Sequence, residues 1–253
     1  MDDIKYSLVI PAYNEEGVIT ASLTQILNFM TPFEPSFEII VVDDGSSDAT
    51  VAKVSDYAQY HPEIRLIQAA HKGKAAAVRT GVLNTKGEYV LTVDADMATP
   101  VDELKRFMHW VDDHGYDVVI ASREGSGALR KGEPRFRHIV GRAFNLFVRL
   151  LALPEFPDTQ CGFKLYKGEL ARDVFGRLVV YADHDEVIKK PFFGAFDVEV
   201  LLICKLLGYK IKSVPVTWTY IKTTRLNFWG NSVKMALDVL KIRLNGLKGV
   251  YTK

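Results

Sequence analysis

The sequence has few cysteines and no long apolar run, and these absences exclude several classes of protein. Its two cysteines, Cys161 and Cys204, lack the spacing of metal ligands and make no disulfide framework. No stretch of about 18 uncharged apolar residues occurs, so we expect no membrane-spanning helix. The first residues lack the basic and apolar regions of a secretory signal. We therefore expect a cytoplasmic protein with reduced thiols.

Two glycine-rich nucleotide-binding motifs are also missing. A dinucleotide-binding fold carries G-x-G-x-x-G after its first strand, but residues 11–16 read PAYNEE here. The phosphate loop G-x-x-x-x-G-K-[ST] does not occur either. These absences argue against a nicotinamide or flavin enzyme and against a P-loop NTPase.

The charge of the chain is balanced in total but unevenly distributed. The 253 residues carry a net charge of +1. Between residues 121 and 153, however, seven Lys and Arg accompany two Glu, and between 221 and 253 seven accompany one Asp. This asymmetry predicts a surface that meets an anionic partner.

Short apolar strands alternate with helical patterns through the first half of the chain. The strands are predicted at residues 7–10, 37–42, 64–67, 89–93 and 116–121. This alternation predicts an α/β fold with one Rossmann-like, mostly parallel sheet flanked by helices.

The apolar pattern is less regular in the second half of the chain, where it predicts helices, loops and a strand. We expect a loop at 125–134, an amphipathic helix at 135–153, a polar loop at 179–191, a strand at 211–220 and a C-terminal amphipathic helix at 227–247. Near the N-terminus, Asn14 is expected to cap the first helix.

An acidic pair stands directly after the fourth strand. Asp94 and Asp96 are separated by one alanine. Ligands of open α/β sheets bind just outside the carboxyl ends of the strands, and two carboxylates there suit a divalent cation that holds a phosphorylated substrate. A solvated acidic turn explains the same residues, so the pair alone leaves both interpretations open.

Polar clusters follow the preceding strands as well. PAYNEE follows the first strand, Asp43 and Asp44 follow the second, and HKGK at 71–74 follows the third. In a parallel sheet these strand ends meet at one edge. A carboxylate can accept the N–H of a uracil-like ring, while Lys74 and a metal at Asp96 can neutralise a diphosphate. Together the clusters predict a nucleoside-diphosphate site.

These motifs resemble the inverting family 2 glycosyltransferases, whose fold is called GT-A. The first half of this chain resembles the nucleotide-sugar half of that family in four segments: SLVIPAYNEE, IIVVDDGSSDAT, HKGKAAAVRTG and YVLTVDADMATP. The second half resembles the dolichyl-phosphate β-glucosyltransferases and, more widely, the polyprenyl-phosphate hexose transferases. The segments that carry this resemblance are ASR at 121–123, DTQCGFKLY at 158–166, AFDVEVL at 195–201 and WTYIKTTRL at 218–226. The resemblance implies a single GT-A domain with a nucleotide-sugar half at 1–124, an acceptor half at 125–220 and an amphipathic C-terminus at 221–253.

The resemblance also implies roles for individual residues. Asp44 would contact the base, Lys74 the diphosphate and Asp96 a metal, Mg²⁺ or Mn²⁺. The residues implied to bind the nucleotide sugar are Pro11, Ala12, Tyr13, Glu15, Asp43, Asp44, Lys74, Asp94 and Ala95. The residues implied in catalysis are Asp96, Arg123, Arg135, Arg137 and Asp158, with Asp197 and Glu199 on the acceptor side.

The implied activity is transfer of a hexose from a UDP-sugar to a polyprenyl or dolichyl phosphate, with no nucleic acid as partner. Ala98 stands where mannosyl relatives carry a polar amide, which favours glucose over mannose. A phosphate acceptor is already anionic, with a second pKa of about 6. Asp158 could therefore orient the acceptor or an arginine instead of acting as a base.

Two other interpretations stay open. A soluble hydroxyl acceptor would need Asp158, Asp197 or Glu199 as a true base. Alternatively, the protein would bind a nucleotide sugar without turnover.

The two basic amphipathic segments suit a membrane surface. Segments 135–153 and 227–247 carry Phe144, Phe147, Phe228 and Trp229 among their apolar residues. Ordinary core-facing helices explain the same composition. Because a polyprenyl substrate resides in the bilayer, we expect peripheral association with the cytoplasmic face of a membrane.

Overall fold

Strands and helices alternate through the first half of the chain, as the sequence predicts. The computed structural model describes residues 4–182, 194–221 and 228–253, with side chains in these ranges except at 228–232. The strands are β1 (Tyr6–Ala12), β2 (Phe37–Asp43), β3 (Ile64–Gln68), β4 (Tyr89–Thr92), β5 (Val118–Ser122), β6 (Leu129–Lys131), β7 (Lys164–Lys167), β8 (Ile211–Pro215) and β9 (Thr217–Thr219). The helices are α1 (Ile19–Phe33), α2 (Thr50–Tyr60), α3 (Lys74–Leu83), α4 (Glu103–Asp112), α5 (Arg135–Leu151), α6 (Gly168–Gly176), α7 (Phe196–Leu206) and α8 (Phe228–Leu247), followed by a 3₁₀ turn (Val250–Thr252).

The main sheet has a reversal of strand order next to β1. Its seven strands lie in the order β3-β2-β1-β4-β7-β5-β8, with β7 antiparallel to both neighbours and the other pairs parallel. The chain moves outward from β1 through β2 to β3, and β4 then joins the opposite side of β1. Such a reversal opens a crevice at the carboxyl ends of the two central strands. The predicted α/β fold with a mostly parallel sheet is confirmed.

The sheet is covered by apolar residues on both faces, because successive strand residues point to opposite sides. On β1, Leu8 and Ile10 belong to the core cluster that includes Leu23 of α1. Val9 belongs to the cluster on the other face, with Val78 of α3. Burial on both faces explains why β1 is a continuous apolar run.

Several local predictions were wrong. Residues 211–220 were expected to form one strand but form two, of which β8 joins the main sheet and β9 pairs in parallel with β6. Strand β6 itself lies within residues 125–134, which were expected to be a loop. Asn14 does not cap α1, which begins at Ile19 without a side-chain cap.

Helix α8 packs against both α5 and α7. No helix among the residues that the structure describes is long and apolar enough to cross a bilayer. Most of the predicted polar loop at 179–191 lies outside the described residues, as do the side chains of Phe228 and Trp229.

Candidate active site

A cleft of about 350 Å³ lies at the switch point of the sheet. Segments that follow β1, β2, β3, β4 and β5 form its walls together with the start of α5. It brings together most of the residues predicted from the sequence. The predicted residues on its walls are Pro11, Ala12, Tyr13, Glu15, Asp44, Lys74, Asp94, Ala95, Asp96, Arg123 and Arg137.

The turn after β1 is tied to the turn after β2. Asn14 has a φ of 52°, its N–H donates to Ser46 Oγ at 2.8 Å, and its Oδ1 accepts from Ser47 N at 2.8 Å. The N–H of Glu15 donates to Thr50 Oγ1 at 2.7 Å. These crossed hydrogen bonds hold the first wall of the cleft in place.

Asp44 organises the turn after β3. Its Oδ1 accepts from the N–H groups of Lys72 and Gly73 at 2.8 and 3.1 Å, and its Oδ2 lies 2.8 Å from Nδ1 of His71. Burial raises the pKa of the Asp44 carboxyl, although these donors favour its ionised form. The imidazole in turn stacks on Tyr13, with centroids 4.1 Å apart and planes at 8°. The second wall of the cleft is therefore an aromatic pair held by a carboxylate.

Lys74 and the two aspartates form the charged floor of the cleft. Lys74 Nζ lies 2.5 Å from Asp94 Oδ1, and Asp96 Oδ1 accepts from Ala98 N at 3.1 Å. Burial alone would raise the pKa of Asp94, but Lys74 outweighs it and the pKa is lowered. Burial and the neighbouring Asp94 charge raise the pKa of Asp96 to about 6. Asp94 is thus already paired, whereas the ionised form of Asp96 lacks a comparable partner among the described residues.

The Asp94 carboxylate lies directly against the backbone of Gly162. A Cβ added at residue 162 would lie 2.3 Å from Asp94 Oδ1, which is shorter than the separation that Cβ atoms keep from neighbouring atoms in proteins. Only glycine leaves room for this approach. The glycine of the DTQCGFK motif therefore sets the position of an acidic group on the cleft floor.

The donor atoms on the floor fit a divalent cation that is shared with a substrate. Among the described residues, no group of three His, Cys, Asp or Glu side chains forms a site made by the protein alone. Mg²⁺ typically takes one or two carboxylates and completes its shell with water and substrate phosphates. Asp96, with Asp94 beside it, offers that number of carboxylates, and a cation would offset the cost of burying the Asp96 charge.

Arg123 and Asp158 form a two-pronged ion pair beside the cleft. Arg123 Nε and Nη2 donate to the two oxygens of Asp158 at 2.7 and 2.9 Å, and the Arg123 N–H adds a third bond at 2.9 Å. The guanidinium also lies over Trp218, 5.4 Å from the ring centroid. Burial alone would raise the pKa of the fully buried Asp158, but Arg123 holds it well below its usual range. Asp158 is thus a partner of Arg123 and does not line the cleft.

The structure separates the two arginines predicted together at the start of α5. Arg137 lines the cleft, with its guanidinium 5.0 Å from the ring centroid of Tyr220. Arg135 is exposed and is not among the cleft residues. An α-helix turns by about 100° per residue, so residues two positions apart point in different directions.

Three other predicted acids also lie outside the main cleft. Asp43 accepts from Gly45 N and Ser46 N in its own turn. Asp197 pairs with the buried Lys164 at 2.5 Å and borders a small void behind Asp94. The predicted acceptor-side role of Asp197 therefore has no direct contact to support it.

Glu199 connects three segments of the chain through hydrogen bonds to its carboxylate. It is fully buried and accepts from the N–H groups of Val179, Val180 and Tyr181 and from the hydroxyl of Tyr251, all at 2.8 to 2.9 Å. Its carboxylate therefore joins α7 to the segment after α6 and to the C-terminal turn. Glu199 is not among the residues that line the cleft, and its acceptor-side role stays a prediction.

Sequence reasoning assigned no role to several cleft residues. Gly73, with a φ of 94°, sits in the HKGK turn, and Cys161 and Gly162 lie inside the motif that carried the family resemblance. Those motif positions were a usable signal. Trp218 opens the WTYIKTTRL motif, but only tertiary packing brings it over the Arg123 guanidinium. The cleft residues that had no assigned role include His71, Gly73, Gln160, Cys161, Gly162 and Trp218.

The fold is that of a glycosyltransferase of the GT-A class. The chain belongs to Glycosyl transferase family 2, whose family model matches residues 7–175. The family predicted from the sequence motifs is confirmed.

Similar proteins share a more specific name. The dolichyl-phosphate beta-glucosyltransferase of Dictyostelium discoideum is 34% identical over 264 residues, which cover 99% of this chain and 77% of that protein. The protein of the same name from Homo sapiens is 32% identical, with 97% of this chain and 76% of that protein covered.

Solved structures with the same fold are more distant in sequence. Glucosyl-3-phosphoglycerate synthase from Mycobacterium tuberculosis, in complex with UDP, superposes with a TM-score of 0.64 at 19% identity and covers 94% of this chain and 80% of that one. Mannosyl-3-phosphoglycerate synthase from Rubrobacter xylanophilus gives 0.65 at 19% identity, with coverages of 97% and 74%. The Mycobacterium protein has also been solved with Mn²⁺, UDP and phosphoglyceric acid. At this identity the likeness establishes the GT-A fold.

Replacing Asp158 by Asn should lower the free energy of unfolding by about 1.5–3 kcal/mol, because it removes the charged partner of the half-buried Arg123. The pKa of Asp158 is depressed in the folded protein. The pair therefore stabilises the fold at every pH above the ordinary aspartate pKa of about 4, and this contribution is lost only as the pH falls further. Urea titrations between about pH 5 and 8 should give a constant difference from wild type.

Asp173→Asn is the matched control, because Asp173 pairs with Arg177 on the exposed surface of α6. It should cost less than about 1 kcal/mol. A loss for Asp158→Asn as small as the control value would contradict the importance of the pair.

Proposed function

We propose that the protein transfers glucose from UDP-glucose to a dolichyl phosphate or another polyprenyl phosphate, inverting the anomeric carbon. The named relatives support this activity, since they are 32–34% identical over almost the whole chain. The observation that carries the proposal is the division of charge in the cleft. Among the described residues, the acids that line it are Glu15, Asp44, Asp94 and Asp96, whereas Arg123 and Arg137 line the region beside Trp218.

The acidic side of the cleft suits the donor. Tyr13 and the backbone after β1 would border the nucleoside, and Lys74 would lie by the diphosphate. Asp96, assisted by Asp94, would hold Mg²⁺ or Mn²⁺, which supplies positive charge to the departing diphosphate. Lys74 is suited to the same task because Asp94 and Asp197 outweigh its burial and raise its pKa, which keeps it charged.

The basic side of the cleft suits a phosphate acceptor. Nε and Nη2 of Arg123 donate hydrogen bonds to Asp158, whereas no described residue accepts a hydrogen bond from Nη1. Arg137 adds a second guanidinium on the same side. Arginine forks match the geometry of phosphate oxygens. A hydroxyl acceptor would instead require a nearby base, and Asp158 is held ionised by Arg123 with both oxygens occupied.

The chemistry of the step follows from these charges. An oxygen of the acceptor phosphate attacks the anomeric carbon of glucose while the bond from that carbon to the diphosphate oxygen breaks. The electron pair leaves with UDP, and the acceptor becomes a phosphodiester. Because a phosphate dianion carries no proton that must be removed, the protein needs to hold it in line more than to deprotonate it.

Arg137→Ala should raise the acceptor KM by about ten- to hundredfold, because it removes a charge-assisted hydrogen bond to phosphate. The measurement is transfer from labelled UDP-glucose to a short, detergent-soluble polyprenyl phosphate in the presence of Mn²⁺. Arg135→Ala is the matched control and should leave the KM unchanged, since Arg135 lies outside the cleft.

UDP binding should be equal in both variants and wild type. Absence of transfer to any polyprenyl phosphate would refute the proposed acceptor. Transfer to a soluble sugar hydroxyl would favour a different member of the family.

Asp96→Asn should lower kcat by about a hundredfold or more and raise the Mn²⁺ concentration needed for half-maximal rate, because the metal loses its carboxylate ligand. Activity measured across a Mn²⁺ titration tests this expectation. Asp102→Asn, an exposed aspartate six residues further on, is the control. Unchanged metal dependence in Asp96→Asn would rule out the assignment.

A face formed by α5 and α8 supports association with a membrane surface. Both helices leave apolar side chains exposed at alternating spacings of three, four or seven residues, the repeat of a continuous stripe. The exposed apolar residues are Phe136, Ile139, Leu146 and Leu150 of α5, and Val233, Leu237, Leu240, Leu244 and Leu247 of α8. We call these residues the α5–α8 face.

Basic residues accompany each stripe at a spacing of seven. They are all exposed: Arg135, Arg142 and Arg149 along α5, and Lys234, Lys241 and Lys248 along and just after α8. Apolar stripes flanked by cations are typical of helices that lie at an anionic bilayer surface. Because Arg137 in the first turn of α5 lines the cleft, such docking would bring the acceptor phosphate close to the reacting centre. The cytoplasmic side of the membrane stays a prediction.

Charge reversal at Arg142, Arg149 and Lys241 should weaken binding to phosphatidylserine-containing vesicles by about a hundredfold, since each cation near such a surface contributes about 1 kcal/mol. Co-sedimentation at increasing salt is the measurement. Reversal of Lys86, Lys105 and Lys210, three exposed residues outside this face, changes the net charge equally and should have a much smaller effect. Equal weakening by both sets, or binding that salt does not reduce, would contradict docking through the α5–α8 face.

A further inference from the structure

His71 has a defined tautomer in the wall of the cleft. Its Nδ1 lies 2.8 Å from Asp44 Oδ2 and 3.0 Å from the Asp44 carbonyl oxygen. Both of these atoms are acceptors, so Nδ1 carries the hydrogen and donates it. In the neutral ring, Nε2 therefore bears a lone pair and acts as an acceptor.

Nε2 of His71 is buried and has no hydrogen-bond partner among the residues that the structure describes. Most buried polar atoms in native proteins are satisfied, and an exception calls for a missing partner. His71 lines the cleft, and Tyr13 stacks on its ring. Because His71 lines the cleft, a ligand bound there is the group that can supply the missing donor.

Asp44 has little acceptor capacity left for a ligand. Its oxygens accept from three donors: Lys72 N, His71 Nδ1 and Gly73 N, whose single hydrogen is shared between the two oxygens. A carboxylate has about four lone-pair sites, so these donors take most of its acceptor capacity. The acceptor that this part of the wall can still offer is Nε2 of His71. We therefore expect the base to contact His71, and not Asp44 as the sequence predicted.

We propose that His71 Nε2 accepts the ring N–H of a uracil base and so selects uridine over cytidine, with Asp44 as the positioning residue. This inference rests on the proposed UDP-sugar donor. At the corresponding ring position cytosine carries an unprotonated nitrogen, and its lone pair would face the lone pair of Nε2. The Tyr13 ring can then cover the flat face of the base, as aromatic side chains commonly do.

The test compares binding of UDP and CDP in the presence of Mn²⁺ by calorimetry, for wild type and three variants. His71→Phe keeps a ring for Tyr13 to stack on but removes Nε2, and it should reduce UDP affinity about tenfold while changing CDP affinity little. His71→Gln returns an amide oxygen near the position of Nε2 and should restore part of the preference for UDP. His109→Ala removes a histidine from an exposed His–Asp pair on α4 and should leave both affinities unchanged.

The ratio of the two affinities is the deciding quantity, because a merely structural loss would weaken UDP and CDP together. Collapse of the ratio in His71→Phe with partial recovery in His71→Gln supports the assignment. A wild-type ratio retained in His71→Phe would overturn it while leaving the proposed donor intact. Equal binding of UDP and CDP by wild type would overturn both.

Discussion

Asp158 is fully buried and Arg123 is half-buried beside it, and the cost of removing the Asp158 charge from water is offset mainly by Arg123. The same constraint acts at the Lys74–Asp94 and Lys164–Asp197 pairs around the cleft. Lys164 also donates to the Cys161 carbonyl, and Asp158 accepts from the Gln160 N–H. Charge pairing therefore fixes the segment between Asp158 and β7 and, through Gly162, the position of Asp94.

This pairing decides which groups remain available for chemistry. Asp158 is committed to Arg123, so it orients a guanidinium and leaves Nη1 directed to other partners. Asp96 is the acid on the floor whose charge has no strong partner among the described residues, and it suits a cation. Under the proposed function, the acidic side of the cleft would hold a cation and the basic side would hold the acceptor phosphate, which would then react without a dedicated base.

The geometry also connects the cleft to the outer surface. The first turn of α5 contributes Arg137 to the cleft, and the rest of the helix continues into the exposed stripe that ends at Leu150. Helix α8 packs beside it with a stripe of the same spacing. In the proposed function, α5 would contact the phosphate of the acceptor at its first turn and the apolar part of the acceptor along its exposed stripe.

Much of this protein was predictable from local sequence, because strand burial and turn chemistry act over a few residues. The run from Tyr89 to Val93 indicated a buried strand, and the acids after it indicated a site at the sheet edge. The partner of each buried charge was not predictable in this way. Asp158 and Arg123 are 35 residues apart, and Asp44 and His71 are 27 apart. Only packing brings such groups together. Packing also turned Glu199 inward and left Nε2 of His71 without a partner among the described residues.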